Sequence, residues 1–341
     1  MSTISVINVK HPSSASNNLV TDSSGNTTAA GTVAMGSSFL RNRIINGAMV
    51  IDQRNAGASV AATNGGYALD RWRAELSGGG AFSIQQSTTA PTGFANSSFI
   101  TVTTADASIA STDYYDYQQF IEGYNVADLG WGTSAAQTVT LSFWVRSSVT
   151  GTFAGSLVNS AANRSYVFTY AISASNTWEQ KSVTIPGDTS GTWLTTSGRG
   201  IAVSFDLGNG SSYQGTAGSW LSTYAVGTST SVKLISTLSA TWYITGVQLE
   251  VGTVATPFER RLYGTELALC QRYYISAPLP SIVFNINQYS SANFPVTMRA
   301  SPTVTVTPTG GVISAITPST NGFYALSNST VGASFTASIE L

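Results

Sequence analysis

The stretch VTLSFWVR, Val139 to Arg146, decides the fold class. Val139, Leu141, Phe143 and Val145 alternate with Thr140, Ser142, Trp144 and Arg146, the period-two pattern of a strand with one face against a core. Outward from it, YVFTYAI repeats the device through Tyr166, Phe168, Tyr170 and Ile172, and IAVSFDL through Ile201, Val203, Phe205 and Leu207. AFSIQQS, FITVTT, KSVTI, SVKLIS and WYITGVQL are further strand candidates, separated by Gly, Ser, Asn and Asp turns at intervals suited to a sandwich. No long amphipathic helices alternate with these runs, which argues against a parallel α/β sheet. The expected class is all-β, an antiparallel sandwich.

At 341 residues the chain is long enough for two or three modules, each with its own core. Charged residues make up 9% of it, against roughly 25% in ordinary soluble domains, and the formal net charge is −1. That balance suggests no polyanion partner, so no nucleic acid is expected. No window approaches the roughly 18 apolar residues of a membrane span, and MSTISVINVKHPSS lacks the apolar core of a secretion leader. The single Cys270 excludes an internal disulfide, which suits assembly in a reducing cytoplasm.

Four segments follow from the patterning. Residues 1–40 contain too little periodic apolar sequence for a core and read as an extended attachment arm or a flexible tail. Residues 41–262 form the sandwich, 263–280 a short helix and linker, and 281–341 a smaller β module or a tail on the large one. Within GVQLEVGTVATPFERR, Val247 and Leu249 share a face, Gly252 and Pro257 interrupt pairing, and Phe258 closes the sandwich edge. Glu250, Glu259, Arg260 and Arg261 are expected to form exposed ion pairs there, each worth roughly 0 to 1 kcal/mol. In TELALCQRYY, Leu267, Cys270 and Tyr274 fall at helical spacing and form a stripe for docking on the sandwich or a neighbouring subunit.

The chemical candidates are few. The only histidine, His11, lies in the arm, so a Ser or Cys nucleophile lacks a base. Asp106, Asp113, Asp116 and Glu122 are close in sequence. They read as a solvated loop, as a divalent-cation site of hard oxygens suited to calcium through Asp106, Asp113 and Asp116, or as the carboxylates of glycan hydrolysis. DLGNGSSYQG follows a strand but lacks a Lys and a following helix, so it is a hairpin loop and not a phosphate loop. Trp144 and Arg146 lie opposite Phe143 with Thr140 and Ser142, and an indole beside hydrogen-bonding groups can stack on a pyranose ring; the alternative is a face covered by a loop or a subunit. Trp131, Trp193 and Trp220 sit in Gly/Ser/Thr-rich loops at a sandwich end and are further glycan-binding candidates.

The series FLRNRIINGAMVIDQR, YALDRWRA, LSFWVRSS, SVTIPGD, GVQLEVGTVATPFERR, ELALCQRYY and FPVTMRASPT resembles, in motifs and in order, phage tail-fibre and appendage proteins with a galactose-binding-like, carbohydrate-binding jelly roll. The match covers roughly residues 40 to 305, and the first forty residues look like the leaders of marine phage structural proteins. The resemblance implies a two-sheet jelly roll, a virion location and usually a homotrimer. Self-association also follows from the low charge, because subunit contacts would cover strand edges and aromatic surface. The expected function is a non-enzymatic virion structural protein, a tail fibre or appendage subunit attached through residues 1–40. Its jelly roll would bind host-surface glycan or act as a spacer. A head fibre or capsid-decorating protein is the alternative, and a glycan-degrading fibre enzyme a further one. No cofactor is expected beyond a divalent cation such as calcium.

Overall fold

VTLSFWVR belongs to the strand Val139–Ser147, which lies inside a six-stranded antiparallel sheet. Across that sheet the order is Glu179–Ile185, Val139–Ser147, Thr241–Val251, Ser97–Thr104, Ala81–Ser87, Val60–Ala61. A seven-stranded antiparallel sheet runs Trp220–Leu221, Ser165–Ile172, Gly151–Asn159, Arg199–Asp206, Tyr114–Glu122, Trp72–Ser77, Tyr67–Leu69. The two sheets share one core in which Trp72, Phe82, Phe143, Phe168, Phe205 and Trp242 are buried. The fold is an all-β antiparallel jelly-roll sandwich. The computed structural model describes residues 8–9, 19–21, 27–29, 40–284, 289–328 and 331–341. His11, most of the N-terminal stretch and residues 285–288 of the expected strand IVFNINQ lie outside the described residues.

One bulge lets the longest central strand keep its apolar side chains inside. Trp242 and Ile244 face the core, and so do Val247 and Leu249, although the interval from Ile244 to Val247 is odd. The register with Val139–Ser147 jumps between Ser142↔Gln248 and Trp144↔Thr245, so Gly246 and Val247 together oppose Phe143. Gly246 supplies the φ of +62° that such a bulge needs. SVKLIS, expected as a strand, is a 3-10 turn at Leu234–Ser236 with Leu234 and Ile235 buried. It crosses the rim of the sandwich, where Ile235 N–H donates to Leu207 O (2.9 Å) and Asp106 N–H to Ile235 O (3.0 Å).

The N-terminal unit, residues 1–41, is separate from residues 42–341. Its described residues form a meander of three short strands, Asn8–Val9, Leu19–Thr21 and Thr27–Ala29, where an extended arm was expected. The first two of these strands pair through Asn8↔Val20 and Val9↔Leu19.

The helix Tyr263–Gln271 and the segment after Arg41 are joined by buried polar groups. Arg261 Nη1 donates to Ile44 O (3.0 Å) and to Glu266 (3.3 Å), and the Glu266 carboxylate accepts Asn46 N–H. Glu250, expected in an exposed pair, is 2% exposed; it accepts Thr256 N–H (2.8 Å) and the Gln248 amide (2.9 Å). Cys270 and Tyr273, with Leu267 at their flank, pack on Ile45 and Ile51 of the same chain, whereas Tyr274, expected in that stripe, lies instead against the Arg54 guanidinium, 3.6 Å from its ring centre. Two further three-stranded sheets follow, Tyr274–Phe284 with Val331–Ser338 and Thr303–Pro308, and Tyr289–Asn293 with Gly322–Ser327 and Ile313–Ser319. They enclose a small core of Ile275, Phe294, Met298, Phe323 and Phe335.

This C-terminal module is bound to the sandwich by Arg71, which is 1% exposed. Its guanidinium pairs with Glu340, lies 3.5 Å from the centre of the Tyr273 ring and donates to Phe120 O (2.6 Å). Glu340 also holds Arg54 (2.7 Å). Removing one partner of a buried pair leaves the other charge uncompensated, at about 3–5 kcal/mol. Glu340→Ala is therefore expected to cost about that much stability in urea unfolding; a loss below about 1 kcal/mol would place the Arg71 charge in contact with water.

Candidate functional site

The outer face of the seven-stranded sheet is polar where its partner's is aromatic. On Tyr114–Glu122, Tyr115 and Tyr117 point into the core, and Asp116, Gln118 and Phe120 point outward. Gln118 pairs across to Ser204 and Arg73, and Phe120 to Ala202, which in turn pairs with Val158. Gln118, Ser204, Ala202 and Val158 floor a cleft of about 270 Å3. Its floor is hydrogen-bonded in a chain: Ser204 Oγ donates to Gln118 Oε1 (2.9 Å), Gln118 Nε2 to Glu75 Oε1 (2.9 Å), and Arg73 pairs with Glu75. Tyr114, Tyr213 and Tyr224 line it in edge-to-face succession, with centroids 5.6 and 5.7 Å apart. Arg199 completes the lining, its guanidinium 4.7 Å from the centre of the Phe120 ring.

Burial sets the electrostatics. It raises the Glu75 carboxyl above its usual range, against the lowering pull of Arg73 and Arg199. It lowers Arg199, and it raises the Tyr224 hydroxyl, to which Asp116 and Glu75 add. Asp116, behind the cleft and 1% exposed, is raised well above the carboxylate range by burial and then by Asp206, its cross-strand neighbour. Asn209 Nδ2 bridges the two acids, donating to Asp116 Oδ1 (2.6 Å) and Asp206 Oδ1 (2.9 Å). The arrangement can orient hydroxyl-rich ligands: donors and acceptors lie on the floor and ring edges and faces on the walls.

The residues singled out in the sequence lie elsewhere. Trp131 and Trp193 are 7% and 8% exposed and pack on each other at 4.7 Å, so neither presents a ring face to a ligand; this corrects their reading as loop aromatics open to glycan. Their indole N–H groups are occupied, by Gln137 O (2.8 Å) and Ser190 O (3.2 Å). Trp220 is half-buried against both, and its indole donates to Pro186 O (2.8 Å). Trp144 and Arg146 do share the outer face of the six-stranded sheet, but Thr140 and Ser142 beside them are buried. Arg146 Nε donates to Asn176 O (2.8 Å) and its guanidinium stands 4.9 Å from the Tyr243 ring centre, while Phe94 and Trp144 both crowd onto Gly246.

The acidic residues read as one loop are dispersed. Asp106 accepts the Tyr115 hydroxyl (2.7 Å), Asp113 caps Ala110 N–H (2.8 Å), and Asp116 and Glu122 lie at opposite ends of one strand. Glu122 instead holds Arg272 (2.9 Å) and accepts the Tyr273 hydroxyl (2.8 Å). Among the described residues no group of three or more His, Cys, Asp or Glu is placed to hold a metal ion, so Asp106, Asp113 and Asp116 do not form the cation site considered for them. Tyr114 and Gln118 escape a sequence reading because YYDYQQF follows Asp106 and Asp113 and reads as acidic loop, and Tyr213 because DLGNGSSYQG reads as a hairpin loop; the alternation of Tyr115 and Tyr117 with Asp116 and Gln118 is the available signal.

No family model matches the chain, and no curated protein matches it. Among solved structures it is similar to the enzymatically active domain of bacteriophage CBA120 tailspike protein 4, at 13% identity and a TM-score of 0.32, over 62% of this chain and 21% of that one. The chain thus spans about a fifth of that protein's length. It is also similar to the family 11 carbohydrate-binding module of Clostridium thermocellum, crystallised with a beta-1,3-1,4-mixed-linked tetrasaccharide, at 11% identity and 0.30, over 59% and 100% of the two chains. A third is TmCBM61 with beta-1,4-galactotriose, at 11% and 0.26, over 53% and 88%. At TM-scores below 0.5 these likenesses do not bear on function.

The buried Asp116 makes stability depend on pH. A carboxyl raised in the folded state holds more protons folded than unfolded, so its stabilising contribution is present at low pH and lost as pH rises from about 4 through the folded value. Asp70, pushed up to about 6 by burial, acts in the same direction. Asp116→Asn keeps an oxygen for the Asn209 amide and cannot ionise. In thermal unfolding followed from pH 4.5 to 8, it is expected to flatten the decline seen in the parent; an unchanged slope would mean that Asp116 stays charged.

Proposed function

We propose that this chain is a glycan-binding, non-enzymatic subunit of a phage appendage, and that the cleft over Gln118 and Ser204 holds the sugar. The observation that carries the binding reading is the hydrogen-bonded floor Glu75–Gln118–Ser204 edged by Tyr114, Tyr213 and Tyr224. Pyranose hydroxyls match such paired donors and acceptors, and the C–H face of the ring matches tyrosine surface. Glycan hydrolysis calls for two carboxyl groups flanking the bond, and the cleft lining contributes one, Glu75. The appendage reading rests on the motif series from FLRNRIINGAMVIDQR to FPVTMRASPT, and it includes a homotrimer joined to the particle through residues 1–40. A head fibre is the alternative position on the particle.

On a glycan array, Tyr213→Ala and Tyr224→Ala are each expected to reduce signal roughly tenfold, about what an aromatic contact contributes. Trp144→Ala, on the opposite sheet, is expected to leave it unchanged. Loss of signal with Trp144→Ala alone would move the site to the six-stranded sheet. Deleting residues 1–38 is expected to leave a trimer by light scattering that is absent from particles assembled in its presence; normal incorporation would place attachment elsewhere, and a monomer would refute the trimer.

A further inference from the structure

The walls of the cleft say which part of a glycan it can hold. Across the strands, Glu75 with its Arg73 partner marks one edge of the floor. On the opposite side, the segment from Gly208 to Val232 lies on the sheet: Trp220–Leu221 pairs with Ser165 and Tyr166, and Ala225 packs on Ala154 and Val167. Its two arms are tied together, Val226 N–H donating to Tyr213 O (2.9 Å) and Gly215 N–H to Gly227 O (2.9 Å). Tyr213 and Tyr224 of this strap face the cleft, and Gln214–Ala217 and Thr228–Thr230 face a separate, shallower groove beyond it. Along the strands, Tyr114 and Tyr213 close one end. At the other end stand Arg199, which donates to Ser160 O, and Ala162, with the C-terminal Leu341 in the same apolar cluster as Phe120 and Tyr224.

A polysaccharide bound through its middle needs two exits, and this cleft is bounded at both ends along the strands and on the strap side. Its 270 Å3 lies below the roughly 300–1,000 Å3 of sites for drug-sized ligands, a size for one or two sugar rings. Glycans anchored to a surface are attached through their reducing ends and leave the other end free. Glu75 and Arg199 are the charged residues of the lining and offset each other, which suits a neutral sugar.

We infer that the cleft takes the neutral, non-reducing terminal residue of a glycan and does not accommodate an internal stretch of chain; this rests on the glycan-binding reading above. The test is calorimetric titration of the full chain with neutral methyl glycosides from monosaccharide to hexasaccharide, chosen from the array signal, and with a cyclised oligosaccharide of the same residues. The expected result is an affinity that changes less than about threefold beyond the disaccharide, with no binding of the cyclic form. An affinity that climbs tenfold or more toward the hexasaccharide, or a cyclic ligand bound by the parent chain as well as the linear one, would overturn chain-end recognition and leave glycan binding standing. Absence of binding to every sugar, array included, would overturn both.

Discussion

Asp206 is a carboxylate with no solvent exposure, and its need for donors dictates how the seven-stranded sheet is covered. An unsatisfied buried charge costs several kcal/mol, so each oxygen must be met by the protein. Oδ1 accepts Gly208 N–H (2.8 Å), Asn209 N–H (2.9 Å) and the Asn209 amide (2.9 Å). Oδ2 accepts the Ser231 hydroxyl (2.8 Å) and Lys233 Nζ (3.4 Å). These donors come from the two ends of the strap, which must therefore leave the sheet and return to the same place. The approach is so close that a Cβ at Gly227 would lie 2.1 Å from Asp206 Oδ2, so glycine is required there. Fixing both ends of the strap fixes Tyr213 and Tyr224 between them, and with them the wall of the cleft.

The other sheet covers its outer face without a strap, and this explains why its aromatic residues are poor candidates for a sugar site. Phe99 and Tyr243 stack at 4.2 Å with an interplanar angle of 9°. Arg146 stands over Tyr243, and Trp178 meets the same ring edge-on at 6.0 Å. The ring faces of Phe99 and Tyr243 are thus taken up by each other and by Arg146. A polar face covered by a loop leaves a cleft, whereas an aromatic face covered by its own side chains leaves a filled surface.

The fold was legible wherever one face of a strand was consistently apolar. Val139–Ser147, Ser165–Ile172 and Arg199–Asp206 stand where the alternation put them. Reading failed where both faces are buried or where a polar group answers a distant one. Tyr114–Glu122 hid because Asp116 and Gln118 look like loop residues until the strap that buries them is in place. SVKLIS alternates as a strand would, yet Lys233 turns toward Asp206 and the chain rounds the rim. Trp131 and Trp193 sit in loop-like sequence, and only tertiary packing shows that three tryptophans fill one corner together. The cleft was the least legible part, since its lining comes from four strands and two loops whose meeting is set by sheet order.

The scarcity of charge has a structural counterpart. In a chain that is 9% charged, many of the described ion pairs stand where segments meet. Arg71 and Arg54 bind Glu340 of the C-terminal module, Arg261 ties Glu259 and Glu266 to the segment after Arg41, and Arg272 anchors the helix end to Glu122. The motifs that carry the family resemblance, DRW at Asp70 to Trp72, the TPFERR turn and CQRYY, are these same joints. None of them contributes a side chain to the lining of the cleft. In this chain these motifs lock the sandwich to the module that follows it, and the cleft is lined by other residues. Two chains can share every one of these joint motifs and differ at Glu75, Gln118, Tyr213 and Tyr224, so the motifs leave the lining of the cleft undetermined.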